Sequence, residues 1–305
     1  MWYAQIAEHG YQYSATHMSS MGFYPAYPLA IRAAMFIVSN PYVAGEILSA
    51  LFLAAAAVLL AIWMHDRGWG DRAPLAMVIL LMYPFSLFFA AAYSESMFLM
   101  LLLAVWVSFE RRLWYLAAVS SVLLVLTRPT GVVVIPLLLL LRQRHGIRGL
   151  GSLLPPLAAV GGLAGFAVYQ WIAFGTPLAY ERAKFVPGWN TDMHHVVAEL
   201  LLQSSSGYST SYLAIMLAAL VLAVALLPLV YSRLGLAAAL LVVMLLALPL
   251  SAGLQSLTRY VSVCFPIFCA LATIERRERL LLAAGPAALL SAGAAMLFAA
   301  GYGIY

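Results

Sequence analysis

The chain has 305 residues, 65% of them apolar and 9% charged, with a mean hydropathy of +0.97. A soluble domain carries about 25% charged residues, so the composition excludes a soluble globular fold and predicts an integral membrane protein with many spans. The formal net charge of +5 does not point to nucleic acid, because Lys and Arg of a polytopic protein gather in its cytoplasmic loops.

Residues 2–11, WYAQIAEHGY, place Trp2, Ile6 and Tyr3 on one helical face, which suits a short helix lying at the membrane interface. The first twenty residues hold His, Glu, Gln and Ser with no apolar core, so no cleavable signal peptide is expected. A polar loop follows, and FYPAYPLAIRAAMFIV is read as a half-inserted or re-entrant helix that Asn40-Pro41 ends. Spans are then expected over 42–64, 74–91, 95–109, 113–127, 131–142, 152–174, 209–230, 234–251, 259–274 and 279–301, about ten crossings. The fold class is therefore an all-α polytopic bundle with added interfacial and re-entrant helices. It divides into outer-face elements (1–41), an N-terminal bundle (42–174), an outer loop (175–208) and C-terminal spans (209–301).

Placing the loop after the first full span in the cytoplasm puts all but five of the 16 Lys and Arg on the cytoplasmic side. The five exceptions are Arg32, Arg128, Arg182, Lys184 and Arg259. The opposite, non-cytoplasmic face then collects the unusual polar groups. It receives residues 1–28, the cluster Tyr93-Ser94-Glu95, the stretch Thr127-Arg128-Pro129-Thr130-Gly131, the long loop from Phe174 to Tyr208, and Ser256-Leu257-Thr258-Arg259-Tyr260. Carboxylates (Glu8, Glu95, Asp192), membrane-depth arginines (Arg128, Arg259) and aromatic rings (Tyr24, Tyr27, Tyr93, Tyr180, Trp189, Tyr260) share that face, with Lys184.

Arginines at helix ends grip a phosphate bidentately, rings suit a sugar face or an isoprene unit, and a carboxylate takes a proton from an attacking hydroxyl. The set points to a lipid-linked phosphosugar. Simpler roles stay open: Arg128 and Arg259 as snorkelling anchors, Glu95 paired with an arginine to orient helices, the prolines of FYPAYP and Gly131 and Gly175 as backbone shapers. His194 and His195 are adjacent and point apart on a helix, and Cys264 and Cys269 read as small core residues, so no metal site is indicated.

WYAQIAEHGY (2–11), FYPAYPLAIR (23–32), PFSLFFAAAYSESMFLML (84–101), LTRPTG (126–131), FGTPLAYERAK…GW (174–189) and LTRYVSVCFPIF (257–268) stand in this order along most of the chain. In these segments the chain resembles the PIG-V-like mannosyltransferases, relatives of GPI mannosyltransferase II among the multi-span GT-C glycosyltransferases. The resemblance implies transfer of a sugar, mannose, from a polyprenyl or dolichyl phosphate to a lipid or glycan acceptor. Transfer would run with inversion on the non-cytoplasmic face of a bacterial plasma membrane, with no nucleotide-sugar site. Arg128 and Arg259 would hold the phosphate, Glu95, Tyr93 and Ser94 would line the reacting centre, and the Tyr180–Trp189 loop would cover donor or acceptor. The family pattern sets a first transmembrane helix and a Trp-Asp pair, the expected base, ahead of the part matching Trp2-Tyr3. The sequence starts at Met1, so the resemblance implies that both lie upstream of a misplaced start. On the residues given, the base candidates are Glu95 and Glu8. A flippase for a lipid-linked precursor and a truncated, inactive homologue are the competing expectations.

Overall fold

The computed structural model describes residues 2–186, 210–252 and 257–275. Among these the chain is helical and has no strands. Three stretches, Pro41–His65, Leu150–Phe174 and Ala214–Leu234, are long and apolar enough to cross a membrane. The described residues fall into two compact units, one drawn from Met1–Leu59 and Phe89–Asp192, the other from Leu60–Phe88 and Met193–Tyr305.

The first unit begins with α1 (Trp2–His9) and α2 (Ala26–Ala34). Helix α3 (Pro41–His65) follows, starting where the sequence predicted a break. Asn40 is its N-cap: the side-chain Oδ1 accepts the backbone N–H groups of Tyr42 (2.9 Å) and Val43 (3.3 Å), and Pro41 takes the first helical position, where no N–H is needed. Helix α5 (Glu95–Glu110) is buried along nearly its whole length and forms the centre of this unit. It packs on α6 (Trp114–Val125) and α7 (Val134–Arg144), and α8 (Leu154–Phe174) packs on α6 and α7. Helix α8 ends on Gly175, in the left-handed region at φ 72°, and the short α9 (Ala179–Lys184) folds back on it.

The second unit holds α4 (Ala73–Leu81), α10 (Thr210–Ala225), α11 (Leu227–Leu234), α12 (Leu236–Ala252), α13 (Leu257–Ser262) and α14 (Phe265–Ala272). Here α14 packs on α4 and α11, and α13 on α10 and α12. Trp63, at the end of α3, meets the Phe265 ring edge-to-face at 5.1 Å.

Of the ten expected spans, three correspond to membrane-length helices among the described residues, and two others are plainly broken. The apolar run 74–91 is helical only to Leu81. Pro84 cannot continue a helix and biases Tyr83 away from helical backbone, and the chain turns into a short 3-10 helix, Ser86–Phe89. The Ser86 hydroxyl donates to the orphaned Leu81 carbonyl at 2.6 Å. The run 259–274 is likewise divided between α13 and α14, with Pro266 opening the second. The span expected at 279–301 lies outside the described residues.

Candidate functional site

Glu95 is the first residue of α5, where the positive end of the helix favours a carboxylate. Its side chain is fully buried and forms an ion pair with Arg128, whose Nη1 lies 3.0 Å from Glu95 Oε1. Arg128 itself is 6% exposed. It stands in extended backbone (φ −155°, ψ 154°) between α6 and the 3-10 turn Pro129–Val133, with its guanidinium carbon 5.9 Å from the Phe98 ring. Nearly excluded from solvent, Arg128 turns inward onto Glu95. The pair forms here because two breaks in helix meet. Gly131 permits it: a Cβ at this position would collide with the Leu124 carbonyl and lie 2.8 Å from Val125 Cα. The sequence marked Gly131 as a turn residue; its place is set by this close approach.

Other motifs attach to the same centre. Tyr3 of α1 hydrogen-bonds Ser94 Oγ through its hydroxyl at 3.1 Å. Its ring meets Phe23 and Tyr27 edge-to-face, each at 5.1 Å, and Tyr93 at 6.3 Å. Tyr27 of α2 is fully buried; its hydroxyl donates to Gly45 O at 2.9 Å and lies 2.7 Å from Ser49 Oγ. Ser49 Oγ in turn donates to Tyr93 O at 3.3 Å. Gly45 belongs to this contact, since a Cβ there would sit 2.6 Å from Ala92 Cβ. Ser96 Oγ donates to Phe89 O at 2.7 Å. Ser49 and Ser96 thereby satisfy the Tyr93 and Phe89 carbonyls, which lie in the break ahead of α5.

An aromatic layer borders it. Met21, Phe166, Ala179, Tyr180 and Ala183 form its buried centre, with Tyr11, Tyr13, Tyr24, Leu126 and Phe174 packed against them. Tyr24 meets Tyr180 edge-to-face at 4.8 Å and Phe166 at 5.2 Å. Gln170, buried inside α8, accepts the Tyr180 backbone N–H at 2.7 Å and so fixes the start of α9. Lys184 places its ammonium 5.5 Å from the Phe23 ring. The backbone N–H of Ala26 donates to Leu126 O at 2.8 Å, tying this layer to the strand of chain that carries Arg128. Burial pushes the Tyr11 phenol well above its ordinary value, and burial followed by the Glu181 charge pushes Tyr24 up to about 12.

The first unit thus brings together Tyr3, Tyr24, Tyr27, Tyr93, Ser94, Glu95, Arg128, Tyr180 and Lys184 from five sequence motifs. Glu8 is not among them. It lies exposed on the last turn of α1, 3.9 Å from the His9 ring nitrogen. Arg259 and Tyr260 belong to the second unit, both half-buried on α13. There the Arg259 guanidinium carbon lies 4.6 Å from the Phe88 ring. Tyr83 anchors the start of that helix by donating to Thr258 O at 3.0 Å. Trp189, Asp192, His194 and His195 lie outside the described residues. Among the described residues no group of three or more His, Cys, Asp or Glu could hold a metal ion, and Cys264 and Cys269 are buried free thiols.

Sequence reasoning passed over Ser49 and Gln170, and gave Tyr3 only a place on a helix face. The signal for the first two was available: a polar side chain in a long apolar run is rare and is retained for a partner. Comparison with known protein families, with characterised proteins and with solved structures gives no match.

Proposed function

We propose that the chain is a membrane-embedded glycosyltransferase of GT-C type with about ten crossings. It would move a sugar, mannose, from a polyprenyl phosphate to a lipid or glycan acceptor on the non-cytoplasmic face. The observation that carries this reading is the meeting of Glu95 and Arg128, at 3.0 Å and out of water, at a centre to which Tyr3 is also tied. These residues come from three of the six segments that resemble the PIG-V-like enzymes.

In this reading the acceptor hydroxyl attacks the anomeric carbon. The carbon–oxygen bond to the polyprenyl phosphate breaks, the hydroxyl proton passes to the Asp carboxylate that the family resemblance sets ahead of Trp2-Tyr3, and the phosphate leaves with the bonding pair. Arg128 stabilises the charge that grows on the phosphate. Glu95 acts through Arg128, holding the planar guanidinium in one orientation so that its N–H fork presents a fixed edge. A carboxylate engaged in this way is a poor proton acceptor, because taking the proton would strip Arg128 of its counter-charge inside the protein. Tyr24, Tyr27, Tyr93 and Tyr180 give the aromatic lining against which a sugar face or isoprene unit packs, and Lys184 adds a second positive charge beside it. Arg259 and Tyr260 offer the second unit's own phosphate- and lipid-facing groups.

The test uses the full chain in proteoliposomes with radiolabelled polyprenyl-phosphate mannose and lipids extracted from native membranes as acceptors. Labelled glycolipid and released polyprenyl phosphate are expected. Arg128→Lys is expected to lower kcat/KM by at least about tenfold, about 1.4 kcal/mol of transition-state binding. In Glu95→Gln a positioning role raises KM while the pH profile keeps its shape; a base role removes the acidic limb of that profile and takes kcat with it. Absence of product from the unaltered chain overturns the transferase reading, and translocation of the donor without product replaces it with a flippase.

A further inference from the structure

Helix α2 shows two faces of opposite use. Tyr27 and Ile31, one turn apart, are fully buried, and they pack on α3 near Gly45 and Ser49. Leu29, Arg32, Ala33, Phe36 and Ile37 follow the helical spacing on the opposite side, and all are exposed. The spacing holds past Ala34 because the backbone keeps turning: Ile37 N donates to Ala34 O at 2.9 Å and Val38 N to the same oxygen at 3.0 Å. Phe36 is 92% and Ile37 90% exposed, the two most exposed large apolar side chains among the described residues.

A soluble surface does not keep adjacent Phe and Ile almost wholly in water. The place of this stripe in the chain decides what covers it. Four residues after Ile37 the chain enters α3, a membrane-length helix whose own outward residues Val43, Ile47, Leu51 and Val58 are exposed and apolar. At about 1.5 Å per residue, α3 is roughly 37 Å long, more than the ~30 Å of hydrocarbon it must cross. Gly45 and Ser49, where α2 rests, lie about 6 and 12 Å from its beginning on the same scale. Helix α2, which carries the stripe, is thus joined through a short link to a span and rests against it at the depth where headgroups give way to acyl chains. Arg32 in the middle of the stripe fits that depth, because its methylene stem covers apolar surface while its guanidinium reaches a phosphate.

We infer that Leu29, Arg32, Ala33, Phe36 and Ile37 form a phospholipid-seating wedge in the leaflet at the start of α3. Phe36 and Ile37 lie among the outer acyl carbons and Arg32 lies on a lipid phosphate. The wedge stands apart from the transferase reading and holds whichever reaction the chain performs.

The experiment places a nitroxide on the full chain by Phe36→Cys and, separately, Ile37→Cys, with Thr16→Cys in the exposed 14–17 turn as the aqueous reference. Cys264 and Cys269 are buried, so background labelling is low. The samples are reconstituted in phosphatidylcholine–phosphatidylglycerol vesicles, and relaxation by dissolved oxygen is compared with relaxation by a water-soluble nickel chelate. Both wedge labels are expected to collide freely with oxygen and at least about tenfold less with nickel than the Thr16 label does. The substituted side chains face outward, so both variants are expected to fold, and either alone suffices. Nickel access equal to that at Thr16 overturns the inference by putting the stripe in water. Protection from both relaxants overturns it too, because protein rather than lipid would then cover the face.

Discussion

Two arginines with the same standing in the sequence, each near a helix end on the face away from the basic loops, are held in opposite ways. Arg128 sits in extended backbone, is nearly excluded from solvent and is locked to Glu95. Arg259 rides a helical turn, half-buried, with its guanidinium against the Phe88 ring at 4.6 Å. The first gets its geometry from an ion pair in a dry place, where misplacement is expensive. The second rests on a broad and shallow attraction between a cation and a ring face, which tolerates movement. A fixed arginine suits a step in which phosphate charge changes, and a compliant one suits a group that slides. Sequence position alone did not separate them.

The sharpest way to break this comparison is to orphan one charge. Arg128→Gln or Glu95→Gln alone leaves the partner buried and uncompensated, and a loss of about 3–5 kcal/mol is expected, read as thermal unfolding in detergent. The double change Glu95→Leu with Arg128→Met removes both charges and keeps the volume. It is expected to return stability to within about 1 kcal/mol of the original. Singles as stable as the parent would show the pair to be wet, and the contrast with Arg259 would collapse. A double variant as poor as the singles would show that something other than an orphaned charge sets the cost.

A smaller effect is expected on the other side. Arg259→Gln removes the cation from the Phe88 ring and is expected to cost about 0.5–2 kcal/mol in the same unfolding measurement. Because the guanidinium is half-buried, added salt should change this cost little more than it changes the parent's stability. A loss as large as that of Arg128→Gln would mean that Arg259 carries a structural charge of equal weight, and the two residues would belong to one class after all.

The helical class and three of the membrane-length segments were legible from composition and run length, because both depend on average hydropathy. Asn40-Pro41 was legible as a boundary, since capping chemistry is local. The break after Leu81 was not, although Pro84 stood in plain view. A long apolar run outweighs one proline when residues are counted, while in the fold the lost N–H and the ring clash decide. The Glu95–Arg128 contact appeared in the sequence only as one of several roles for each residue. Nothing local states that the start of α5 and the end of α6 meet. Gly131 shows the same limit from another side, for its need is set by the Leu124 carbonyl and Val125, neighbours across a turn that its own sequence does not announce.

Tyr24 sharpens the comparison most gently, as a gauge of how dry the Arg128 side is. Its ring and Leu126, two residues before Arg128, both pack against the buried centre of the aromatic layer. It lies in the link before α2, outside the spans. Burial, with the Glu181 charge adding to it, raises its phenol from the ordinary 10.0 to about 12. The folded state thus favours the neutral form. The stability this contributes is fully present below pH 10, declines as pH rises from 10 to about 12, and is gone above that. In the difference between the alkaline absorbance titrations of the parent and of Tyr24→Phe, one phenol is expected with a midpoint near 12. Unfolding midpoints of the two proteins are expected to converge as pH passes from 10 toward 12. A midpoint near 10 would mean that water reaches Tyr24 and Leu126, and the low-dielectric setting claimed for Arg128 and Glu95 would lose its nearest independent support.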